Sequence, residues 1–148
     1  MVSFFILVGS WSTVISTLRF SDSPAGLSFV SQTANLGGSP SWLTPNPVNS
    51  SIIYSTIEAS AGQILSLTVN KHTGTVALVA KVSSSGKGPV HIGVLPSGTE
   101  LEAVNYGSKS AFNVHLVSDM LHFKNHSTVS FAGSDPHTNQ ASPHPHQV

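Results

Sequence analysis

The chain is expected to be all-β and built from a repeated four-stranded unit, on three observations. Asp, Glu, Lys and Arg make up only 8% of its 148 residues, against roughly 25% in an ordinary soluble domain, and Ser, Thr, Gly and Pro fill the gap, which suits short strands and turns. Apolar residues recur with period two: Leu65, Leu67 and Val69 alternate with Ser66, Thr68 and Asn70, and Phe112, Val114 and Leu116 alternate with Asn113, His115 and Val117, the signature of strands with one buried face. Finally, Pro40 and Pro89, Leu43 and Ile92, Pro47 and Pro96, Ile52 and Leu101, and Leu67 and Leu116 each stand 49 positions apart (89 − 40 = 49). A constant offset of that size marks a repeating unit, and four antiparallel strands at a period near 50 describe one blade of a β-propeller.

The elements follow in order. "FFILVGS", "VISTLRF" and "GLSFVSQTA" read as three strands over 1–35, with Leu18 lying 49 positions before Leu67, so they match the second, third and fourth strands of a unit that lacks its first. The next unit, 40–84, has strands expected near 41–45, 51–56, 63–69 and 75–82. Its repeat, 88–131, has them near 90–95, 100–105, 111–117 and 120–131. Within 75–82, Val76, Leu78, Ala80 and Val82 supply the apolar face. The turn-rich stretches "NPVNSS", "EASAGQ", "NKHTGT", "SSSGKGP", "LPSGTE" and "NYGSKS" separate the strands, supplying the restricted or positive φ that tight turns need. The stretch 142–148, "SPHPHQV", reads as the innermost strand of a further blade. The chain is thus one partial propeller domain whose missing strand is expected to come from the other end of a closed ring.

Several classes of function are disfavoured. Six basic residues balance six acidic ones with no run of either sign, so nothing resembles a nucleic-acid footprint or a polybasic membrane patch. The absence of cysteine removes disulfides, thiolate metal sites and a cysteine nucleophile together. The start of the chain could be taken for a secretory leader, but the apolar run Phe4–Val8 is short and no cation precedes it, so a strand is the better reading and a cytoplasmic location is expected, with secretion as the alternative. No G-x-S-x-G elbow or phosphate-cradling loop occurs.

At "ILVGSW", "SPSWLTPNP", "GPVHIGVLPSGTELEAVNYGSKSAF" and "HPHQV" the chain resembles the lactonase family of seven-bladed β-propellers, which includes bacterial-type 6-phosphogluconolactonase and fungal 3-carboxy-cis,cis-muconate lactonising enzyme. The resemblance implies a partial seven-bladed propeller and a small anionic lactone or carboxylate substrate, with no cofactor. It implies a channel-facing histidine as general acid or base, and His146 matches that position. The family's Arg and Glu partners come from later blades, so the 148 residues alone are expected to be inactive. The alternative function is a non-catalytic propeller remnant or interaction scaffold.

The chemistry also stands on its own terms. Opening a lactone needs a base to activate water and donors for the developing oxyanion, whereas lactonising a muconate needs a proton delivered to carbon beside anchored carboxylates. Both substrates are anions, and the single arginine, Arg19, lies between Leu18 and Phe20, where its side chain is expected on a polar face away from the channel. His91 occupies the repeat position of Trp42, and His146 falls at the same place one unit later, so Trp42, His91 and His144 join His146 as channel candidates. His91 reads equally as a hydrogen-bonded strand-end histidine. His144 and His146 alone make a weak metal site, since two imidazoles lack a third ligand; no metal is expected. Glu58, Asn105 and Tyr106 are assigned to turns and blade packing.

Overall fold

The computed structural model describes residues 2–134, 136–137 and 141–148. Among them the chain forms eleven strands and no helix: β1 Ser3–Val8, β2 Ser16–Asp22, β3 Ala25–Gln32, β4 Leu43–Pro45, β5 Ile52–Ile57, β6 Gln63–Val69, β7 Val76–Ser83, β8 Pro89–Val94, β9 Glu100–Asn105, β10 Ser110–Leu116 and β11 Phe123–Ser130. They form three antiparallel sheets ordered β1-β2-β3, β4-β5-β6-β7 and β8-β9-β10-β11. The first blade is a three-stranded sheet, as the repeat predicts. No helix among the described residues is long and apolar enough to cross a membrane.

The blades stack face to face, and the middle blade is buried on both sides. Alternation sends Ile52, Tyr54 and Ile64 into a core shared with Ile92, Leu101, Ala103, Phe112, Val114 and Leu116 of blade three. The intervening Ile53, Ile57, Leu65 and Leu67 join Ile15 and Leu36 in a second core toward blade one. Polar clamps cross the seam between blades two and three. The Tyr54 hydroxyl donates to the Met120 carbonyl at 2.8 Å and accepts from Asn46 Nδ2 at 3.0 Å, Ser66 Oγ donates to the Leu121 carbonyl, and Thr44 Oγ1 donates to the Ile92 carbonyl at 2.7 Å. Burial pushes the Tyr54 pKa above its usual value. Toward blade one the chain passes close at Gly74, whose φ of +74° and whose distance of 2.7 Å from a notional Cβ to the Phe5 ring exclude a side chain.

The two ends of the stack differ in chemistry. Cross-strand partners Phe4, Phe20 and Leu27, and next to them Ile6, Leu18 and Phe29, give blade one an outward face that is mainly apolar, with Ser16 and Asp22 of β2 at its ends. The outward face of blade three carries Glu100, Glu102, Ala111 and Asn113, with His115 Nδ1 and Glu100 Oε1 3.4 Å apart.

Three expectations are corrected. The 49-residue offset holds for Leu43 and Ile92, but their partners Ser55 and Ala103 are 48 apart (103 − 55), and the next, Leu65 and Phe112, 47 (112 − 65). Blade three therefore has tighter turns, and Leu101 faces blade two whereas Ile52 faces blade three. β7 buries its expected face only in part: Val76, Ala80 and Val82 are half-buried, but Leu78 is exposed along with Val79, because the strand is outermost and a bulge opposite Ser66 and Leu67 breaks its alternation. Residues 142–148 form no strand. Pro143 and Pro145 lack the N–H a ladder needs, and the segment lies against blade three by side-chain contacts instead.

Candidate functional site

All four residues singled out in the sequence collect at one rim, where the innermost strands begin. Trp42 immediately precedes β4, and its indole N–H donates to Thr44 Oγ1 at 2.8 Å, the same hydroxyl that reaches across to Ile92. This fixes the indole beside blade three, where its ring lies 4.5 Å from that of His91 at 47°. His91, on β8, is only 8% exposed. The repeat thus places Trp42 and His91 side by side on neighbouring blades.

The terminal segment continues the row. The Val148 N–H donates to His91 Nδ1 at 3.4 Å, and Val148 Cγ2 sits 3.1 Å from where a Cβ on Gly93 would stand. Accepting at Nδ1 is the role of a neutral imidazole protonated at Nε2. Burial, and then the neighbouring His146, hold the His91 pKa below its usual value, as desolvation and like charge both disfavour the imidazolium. His144 and His146 are exposed. His144 stacks on Tyr106 with ring centroids 4.5 Å apart at 22°, and His146 meets the same ring edge-on at 5.9 Å and 85°. His144 Nδ1 lies 3.4 Å from the Tyr106 carbonyl and its Nε2 3.4 Å from Ser142 Oγ. Ring stacking on Tyr106, with these two long polar contacts, holds His144 at the rim.

Tyr106 is the residue that sequence reasoning missed. It looks like turn filler because its partners lie 38 and 40 positions away (144 − 106 and 146 − 106), beyond any local pattern. On its other side it lines a shallow depression with Trp11, Glu58 and Lys87, so a cation stands near the rim. Arg19 does not: it is exposed and donates to Ser3 Oγ at 3.3 Å, on the polar face expected for it. Among the described residues no group of three His, Cys, Asp or Glu could hold a metal ion. The cluster therefore offers a partly buried neutral imidazole, two exposed imidazoles and aromatic surface, suited to moving a proton.

Four-stranded antiparallel blades packed face to face, with Trp42 and His91 at the starts of neighbouring innermost strands and the terminal histidine segment beside them, define a β-propeller with its candidate site at one rim. The family profile described as "Lactonase, 7-bladed beta-propeller" matches residues 5–148, and the chain belongs to that family. No curated protein matches it. Among solved structures it is similar to the periplasmic gluconolactonase PpgL of Pseudomonas aeruginosa, at 20% identity and a TM-score of 0.88, covering 99% of this chain and 44% of that one. It is also similar to a candidate 6-phosphogluconolactonase from Bacteroides uniformis, at 24% identity and a TM-score of 0.83, covering 96% and 42%. At these identities the likeness is one of fold, and the chain spans less than half the length of either structure.

Proposed function

We propose that these residues supply the first blades and the acid–base histidine of an enzyme that hydrolyses a small anionic sugar lactone, of the 6-phosphogluconolactone type. Membership of the lactonase family over residues 5–148 carries this reading, and the gathering of His91, His144 and His146 at one rim supports it. In the reaction His146 takes a proton from water as the oxygen adds to the lactone carbonyl. The tetrahedral oxyanion collapses with cleavage of the acyl–oxygen bond, and the proton passes to the departing alkoxide, leaving a hydroxy acid. Stabilising the oxyanion and anchoring the anionic group need cations or aimed donors. The cluster itself holds no Arg or Lys, so turnover depends on residues of further blades and the 148 residues alone are inactive. The substrate is tested by assaying a seven-bladed chain that contains these residues on 6-phosphogluconolactone and on 3-carboxy-cis,cis-muconate. Faster hydrolysis of the first supports the reading; exclusive turnover of the second transfers it to carboxymuconate lactonisation.

One observation favours a second reading, a non-catalytic scaffold. The outward face of blade three presents Glu100, Glu102 and Asn113, where the matching face of blade two is mostly apolar and buried. A chain that turns over neither substrate yet folds would support it.

A further inference from the structure

We infer that Tyr106 is a positioning residue, whose ring holds the His144–His146 segment so that the His146 imidazole keeps a fixed place at the rim. This rests on the reading of His146 as the acid–base group. Tyr106 follows β9 directly, and its backbone is pinned on every side. Its N–H donates to the Gly88 carbonyl at 2.9 Å, and the next N–H, of Gly107, donates to the Lys87 carbonyl at 3.0 Å. The preceding Asn105 is fully buried, with Nδ2 donating to the Ser84 carbonyl at 2.9 Å and to Ser110 Oγ at 3.1 Å. A ring on so fixed a base is a platform even though the residue is 41% exposed.

The histidine segment has little freedom of its own. Pro143 and Pro145 lock their φ angles and bias the residues before them toward extended backbone. It is held at two points, the Tyr106 ring under His144 and the His91–Gly93 contact at Val148. His146 lies between them, edge-on to the same tyrosine. Removing the ring frees one anchor, and His146 can then swing about the other. Among the described residues the Tyr106 hydroxyl has no hydrogen-bond partner, so the ring face and edge do the holding, and phenylalanine should serve as well.

The test uses a seven-bladed chain containing these residues, with labelled histidine ring carbons, and four variants: Tyr106→Ala, Tyr106→Phe, His146→Ala and the double Tyr106→Ala/His146→Ala. Misplacing a catalytic group by about 1 Å can lower turnover by roughly a hundredfold. Tyr106→Ala should therefore lower kcat on 6-phosphogluconolactone by about tenfold to a hundredfold with KM nearly unchanged. It should also erase the ring-current shifts of the His144 and His146 resonances. Tyr106→Phe should restore both. The double variant should be no slower than His146→Ala, because a residue that acts only through His146 adds nothing once it is gone. Parental kcat in Tyr106→Ala, no rescue by phenylalanine, a further additive loss in the double variant, or unmoved histidine resonances would each overturn the inference. If His146→Ala itself keeps full turnover, the functional reading fails first and takes this inference with it; an impaired His146→Ala beside a normal Tyr106→Ala sinks the inference alone.

Discussion

The apolar face of blade one should make the 148-residue chain self-associate, and two lysines on β3 should prevent it. Phe29, Leu27 and Phe4 are 63%, 61% and 50% exposed, in adjoining cross-strand rows of one face. With aromatic side chains offering about 200 Å² each and leucine somewhat less, these three leave roughly 330 Å² of apolar surface in water. Two copies meeting through it would bury roughly 660 Å², a gross gain of about 16 kcal/mol at ~25 cal/mol per Å². Lost translational and rotational freedom opposes this by about 4–15 kcal/mol, which leaves about 1–12 kcal/mol net, its midpoint of about 6 kcal/mol corresponding to a dissociation constant of tens of micromolar. Leu27→Lys with Phe29→Lys removes roughly two-thirds of that area and sets like charges face to face, cutting the gross gain to about 5 kcal/mol, near the low end of the opposing terms. Sedimentation velocity between about 10 and about 200 µM should show the parent's mean mass rising while the double variant stays at the monomer mass. A parent that stays monomeric at the higher concentration, or a variant that associates as strongly, would refute the assignment of this face.

In that monomeric background, Tyr54→Phe should lower stability by about 1–3 kcal/mol in urea unfolding, because it leaves the Met120 carbonyl and one Asn46 contact without their partner; a change near zero would mean the seam is held by apolar packing alone. His91 should titrate below an ordinary histidine when followed by NMR. Its folded form resists protonation, so the unfolded chain binds more protons and stability falls as pH drops through the unfolded value near 6.5 toward the folded one; His91→Gln should remove that dependence. The Asp119 carboxylate is held down to about 2 by the Leu121 N–H and then by the His122 side chain and N–H. The 117–122 turn should accordingly keep its amide protection above the unfolded pKa near 4 and lose it only as pH falls through about 2.

Much of the fold was legible because a strand announces its buried face locally. Leu65 and Leu67, or Phe112 and Val114, declare both strand and face within a few residues, and the 49-residue spacing of Leu43 and Ile92 declares the blade. Less visible were features set by how blades meet. The drift of the offset to 48 and 47 depends on turn lengths that leave the parity of the β10 pattern intact, so Leu67 and Leu116 looked equivalent although the ladders match Leu65 with Phe112. β7 reads as a buried strand by composition, yet only its outermost position decides its exposure. The repeat brought Trp42 and His91 together on paper as in space. Tyr106 could not be found that way: its role comes from histidines far along the chain, through contacts between rings that leave no periodic trace.

The central claim, that His146 is the acid–base group of a lactone hydrolase, is tested most directly by the turnover of His146→Ala on 6-phosphogluconolactone, in a seven-bladed chain containing these residues, with circular dichroism to confirm folding. General acid–base catalysis contributes roughly 10²–10⁴-fold, so kcat should fall by about that factor, while His144→Ala, which removes only a stacked neighbour, should fall much less. Equal turnover of His146→Ala and the parent would contradict the account.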